Sequence, residues 1–109
     1  MDEEMQTIIK QKFLEELNDV EKYLDLCKKA TDDCSKQIFK DIAKDEMSHA
    51  EFLKDMIHKH KFTVTEAEHQ KAQELYKKVK EEYQAMWMEI KERKMSRLGT
   101  IIDMMSWFL

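Results

Sequence analysis

The chain has no proline and a single glycine, Gly99, among its 109 residues. Sheets and irregular domains turn on these two residue types, which preset or free φ at tight corners. A chain without them reverses direction at helix ends, so the sequence predicts an all-α protein. At about 1.5 Å of rise per residue, the length suits one domain, residues 1–109, built from three helices. Apolar residues make up 42% and charged residues 39%, and the formal net charge is only −4. That balance supplies enough apolar side chain for a core, which sets the chain apart from disordered sequences. It carries no basic excess to neutralise phosphates, so nucleic acid is not an expected partner.

No apolar run reaches the roughly 20 residues that a membrane-spanning helix needs, so no transmembrane segment is expected. The opening Met1-Asp2-Glu3-Glu4 is acidic, whereas a secretory signal starts basic and turns apolar. The expected location is cytoplasmic. Cys27 and Cys34 flank an expected turn and are read as small buried hydrophobes rather than a disulfide framework.

Apolar spacing of three and four residues outlines the helices. The first spans about 4–30 and carries the line Ile9, Phe13, Leu17, Val20, Leu24 and Cys27. Thr31-Asp32-Asp33 follows, three good capping residues, and so short a link makes the next helix an antiparallel neighbour. The second spans about 34–58 along Phe39, Ile42, position 46, position 49, Leu53 and Met56. The third spans 64–108, opened by a capping box on Thr63 or Thr65. Its apolar line is interrupted by Lys91-Glu92-Arg93-Lys94 and resumes in Met95–Leu109, where Gly99 offers a bend near 95–99.

Two polar residues stand where the second line asks for apolar ones: Glu46 and His49. A carboxylate on an apolar seam needs a partner, a proton or a metal. On the first helix Glu16 lies beside the seam, and Tyr23 follows it two turns along the same face. When the hairpin is folded about Asp32, Glu16, Glu46 and His49 fall at one level, roughly 22–25 Å from the turn at 1.5 Å per residue. One Glu from one helix and Glu-x-x-His from its neighbour make half of a carboxylate-bridged dimetal site, whose oxygen and nitrogen donors suit iron or manganese. The second half is expected from another copy of the chain across a two-fold axis. A second Glu-x-x-His, Glu66 to His69, is better explained by helix capping.

These pieces resemble the metal-binding helical pair of the ferritin-like superfamily, which includes ferritins and rubrerythrins. The matching residues are Glu16, Tyr23 and Glu46-x-x-His49. The closest likeness is to the encapsulated ferritins, short chains that carry half a ferritin bundle. The runs Glu15-Glu16-Leu17 to Tyr23 and Asp45-Glu46-Met47-Ser48-His49-Ala50 look like that family. The resemblance implies a ferritin-like antiparallel hairpin plus a long third helix, with a four-helix bundle completed by dimerisation. It implies a ferroxidase that oxidises Fe(II) at a di-iron site shared by two subunits, for iron storage or detoxification. Glu16, Glu46 and His49 would be the metal ligands and Tyr23 a nearby phenol; the cofactor would be two iron ions per dimer, with manganese as the alternative. Expected partners are further copies of the chain, as a dimer or a ring of dimers, and an encapsulin shell, although Ser106-Trp107-Phe108-Leu109 contains no docking peptide that can be recognised. Two other readings stay open: a rubrerythrin-like peroxide-scavenging di-iron protein, and a metal-free helical interaction module in which Glu46 and His49 form a polar pair that sets register.

Overall fold

Aspartates start the first two helices. In the computed structural model, which describes the backbone of residues 1–106 and the side chains of residues 1–88, Asp2 accepts a hydrogen bond from the Met5 amide at 2.8 Å. Asp32 does the same for the Ser35 amide at 2.7 Å. Each thereby satisfies an N–H that has no partner within its helix. The helices they open are α1, Glu3–Lys29, and α2, Asp33–Lys59, followed by α3, Glu66–Ser106. All three elements are helical, with no strand among the described residues.

Glu68 and Thr65 close the expected capping box at the start of α3. The Glu68 amide donates to the Thr65 hydroxyl and the Thr65 amide to the Glu68 carboxylate, both at 3.1 Å. Thr65, rather than Thr63, is therefore the cap. The preceding helix ends without a glycine. Lys61 takes the left-handed conformation, φ 49°, so that the Phe62 amide can reach back to the Ile57 carbonyl at 3.1 Å. This is the closure in which a residue beyond the helix end satisfies a terminal carbonyl, and Phe62 buries its ring as the accompanying apolar contact.

α1 and α2 form the antiparallel hairpin. Its core is Phe13, Leu17, Val20 and Leu24 from α1 against Ala43, Met47 and Ala50 from α2, with Val79 of α3 closing it. Leu17, Val20 and Val79 are wholly buried, and each such side chain contributes roughly 1.5–3 kcal/mol of transfer free energy. The α1 seam agrees with the spacing of the sequence. The α2 seam does not: the buried line runs through Ala43, Met47 and Ala50, while Phe39, Ile42, Leu53 and Met56 are only partly covered. Glu46 and His49 thus lie on a flank of the hairpin instead of in its seam. The physical reason is close packing, since two alanines on the contact line let the helix backbones approach.

α3 packs on the opposite flank. The Tyr76 ring stacks on Phe13 at 6.3 Å between centroids, and its hydroxyl donates to Glu51 Oε1 at 2.6 Å. Lys80 reaches both Glu51, at 3.4 Å, and the Tyr76 hydroxyl, at 2.8 Å. Lys78 pairs with Glu21 at 3.3 Å. α3 has 41 residues against 27 in each hairpin helix, so at about 1.5 Å per residue it is some 20 Å longer than they are. The helix runs through Lys91–Lys94 without a break. The expected side-chain roles of the 95–109 segment, and the helix end at 108, lie outside the described residues. No helix among the described residues is long and apolar enough to cross a membrane.

Candidate metal centre

Glu16 is the one buried charged residue among the described residues, 5% exposed. It is placed there by helical phase: it follows the core residue Phe13 by three and precedes Val20 by four, which turns it to the edge of the interhelical contact. One carboxylate oxygen, Oε1, accepts from Lys12 Nζ at 3.2 Å, a pair one turn apart on α1. The other, Oε2, is buried and takes no hydrogen bond from an N–H or hydroxyl donor. His49 Nδ1 stands 3.7 Å from it, too far for a hydrogen bond.

Glu16, Glu46 and His49 converge as the folded hairpin requires. One ligand atom from each lies within 4.8 Å of the others. Burial grades across the three, from buried Glu16 through partly buried Glu46 to exposed His49, so the cluster opens sideways from the hairpin. Charged positions that meet α3, Glu21 and Glu51, lie about 140–200° round their helices from Glu16 and His49 at 100° per residue. The cluster therefore faces away from α3. The partly covered apolar residues Phe39, Ile42, Leu53 and Met56 share the α2 face of Glu46 and His49 at steps of three and four.

Two carboxylates at this separation compete for one proton. Glu46 is pushed up to about 7, first by its hydrogen bond with Glu16, then by burial and by the Glu16 charge. Burial is the largest single influence on Glu16 and works to raise it. The hydrogen bond from Glu46 and the neighbouring Lys12 together outweigh burial and hold Glu16 below its ordinary value. Near neutrality the pair thus shares a proton, in the manner of carboxylates that cannot both ionise at short range. A divalent cation would take that proton's place.

The donor set fits such a cation. Two carboxylates can bridge or chelate, an imidazole adds a nitrogen, and Glu16 Oε2, met by no N–H donor, supplies a buried acceptor within the cluster.

Tyr23, the other expected site residue, is partly buried and stacks on Phe39 at 6.4 Å between centroids. It is not among the converging ligands. Glu66 and His69 are exposed at the start of α3 and do not join the cluster. Cys27 and Cys34 are free thiols; Cys27 donates to the Lys36 carbonyl at 3.4 Å, while Cys34 is exposed rather than buried. Lys12 escaped the sequence reading, although its position one turn before Glu16 was the available signal. No family model matches the chain, and neither a curated protein nor a solved structure matches it.

Proposed function

We propose that the chain is a ferroxidase-type iron-binding protein of ferritin-like architecture. In this reading two copies pack hairpin against hairpin on the flank that α3 leaves open, and the six-residue ligand set of a paired site is assembled from Glu16, Glu46 and His49 of each copy with solvent positions left for the oxidant. Ferrous iron is the substrate. Glu16 and Glu46 would hold and neutralise it, His49 would cap one ion per chain, and the two ferrous ions of a site would together give two electrons to dioxygen, which takes two protons from water and leaves as hydrogen peroxide. The oxidised product serves storage or detoxification of iron.

The observation that carries the reading is the meeting of two carboxylates and an imidazole from two helices within 4.8 Å, with Glu16 Oε2 buried and met by no N–H donor. The half-covered apolar residues on the same α2 face support the paired assembly, because apolar surface beside a polar centre is what an interface between copies presents. Glu46→Ala and His49→Ala proteins, mixed with Fe²⁺ and oxygen, are expected to lose the rapid ferric absorbance rise of the parent. Unchanged oxidation rates in both would remove the assignment.

Lys12 favours a second reading. Its ammonium already neutralises Glu16 at 3.2 Å, which lets the cluster serve as a polar element of a metal-free helical interaction module. Under that reading Glu46→Leu leaves assembly intact and raises the melting temperature. Under the metal reading the same change abolishes stabilisation by the ion.

A further inference from the structure

A separate cavity of about 700 Å³ lies at the end of the molecule where α1 starts, α2 stops and α3 starts. Its size falls in the range of sites that take small organic ligands. Phe13, Ile57, Phe62 and Ala72 contribute an apolar floor. Four lysines, Lys10, Lys54, Lys61 and Lys71, stand around it with His58 and His69, and Glu68 is the one carboxylate. In a chain of net charge −4, this is a local reversal of sign.

Not all four ammonium groups are free. Lys10 is held by Glu68 at 2.8 Å and by the Thr63 carbonyl at 3.0 Å. Lys54 sits 4.4 Å above the Tyr76 ring. Lys61 and Lys71 are exposed, and neither pairs with a carboxylate among the described residues. Lys61 is moreover held at φ 49°, a conformation that costs a residue with a side chain about 1–2 kcal/mol. A lysine is kept at a position that glycine fills most readily, and that position is on the rim of this cavity.

We infer that this cavity binds a small amphipathic anion of the fatty-carboxylate class, its hydrocarbon chain on the Phe13–Phe62 floor and its carboxylate at Lys61 and Lys71. An apolar floor alone would accept any hydrophobe. The two unpaired ammonium groups at its rim select an anionic head, because a charge-assisted bond is stronger than a neutral one and a cationic head would be repelled. The residues are distinct from Glu16, Glu46 and His49, so the site stands independently of the metal reading.

The test is titration of the full-length metal-free protein with dodecanoate, kept below its micelle threshold, followed by amide chemical shifts and calorimetry. Saturable binding at one site per chain is expected, with shifts at Ile57, Phe62 and Ala72. Dodecanol should bind at least about tenfold more weakly, and dodecyltrimethylammonium not measurably. Lys61→Gly and Lys71→Glu should each weaken dodecanoate about fivefold or more. Lys61→Gly is expected to fold at least as well as the parent, so its loss of affinity cannot be blamed on unfolding. His49→Ala should bind dodecanoate as the parent does. Absence of saturable binding, equal affinity for the cationic and anionic amphiphiles, or shifts confined to the Glu46 flank would each overturn the proposal. So would dodecanoate acting only by dissociating an oligomer, which would give the cavity to a second copy of the chain.

Discussion

Glu16 Oε2 lies 3.7 Å from His49 Nδ1 across the α1–α2 hairpin, buried and met by no N–H donor. Once Glu46 has lost its proton nothing meets the Oε2 lone pair, at a cost of about 1–3 kcal/mol. The metal reading accounts for that by giving Glu16 Oε2 an ion to bind. Below about pH 7 the Glu46 carboxyl supplies the proton shared with Glu16, and a divalent ion would displace it.

The shared proton gives metal-free protein a defined pH dependence. Glu46 rises from an ordinary 4.5 to about 7 on folding. A group raised in this way contributes stability that is fully present below 4.5 and is lost as pH rises through 7. The melting temperature of metal-free protein is therefore expected to fall between pH 5 and pH 8. Glu46→Gln should flatten this dependence and be more stable than the parent at pH 8 by about 1 kcal/mol, well short of the full linkage value because the site is partly wetted. Thermal melts across that range check it; parallel curves for parent and variant would contradict the shared proton.

Loading the site should release protons. At pH 6 most Glu46 side chains are protonated, so Mn²⁺, which resists oxidation, is expected to displace about one proton per chain on binding. Calorimetry in buffers of different ionisation enthalpy measures this. His49→Ala, which leaves the Glu16–Glu46 pair in place, should weaken Mn²⁺ about tenfold or more and retain proton release at saturating metal.

Lys61→Gly should raise stability. The left-handed φ of 49° at this helix end is open to glycine without the Cβ clash, and relief of that clash outweighs glycine's greater freedom in the unfolded chain. A gain of about 0.5–1 kcal/mol in urea melts is expected. A loss would mean that the Lys61 side chain holds the α2–α3 connection by contacts of its own.

The cap at the hairpin turn opens α2, the helix that carries Glu46 and His49. Asp32→Ala removes the bond to the Ser35 amide and is expected to cost about 1 kcal/mol. Leu17→Ala, in the centre of the core, should cost about 2–5 kcal/mol. A larger loss from Asp32→Ala than from Leu17→Ala would contradict the packing described.

Much of the hairpin can be read from residue spacing because the α1 line Phe13, Leu17, Val20, Leu24 is made of large side chains at unbroken steps of three and four. The α2 contact line was hidden. Ala43 and Ala50 carry little apolar area, so the heavier residues Phe39, Ile42, Leu53 and Met56 draw the seam onto a flank. Glu46 and His49 violate only that misplaced seam, yet they share the level of Glu16, because level depends on rise per residue rather than on face. The cation-rimmed cavity has no counterpart in the spacing of any single segment. Lys10, Lys54, Lys61 and Lys71 come from α1, α2, the connection and α3, and only folding brings them together.

The most direct test is an anaerobic Fe²⁺ titration of metal-free protein, reading bound iron per chain and the oligomeric state together. The metal reading expects about one iron per chain, held by a dimer, and loss of that binding in Glu46→Ala. Absence of specific binding, or equal binding by the parent and Glu46→Ala, would contradict it and leave Glu16, Glu46 and His49 as a polar packing element of a helical interaction module.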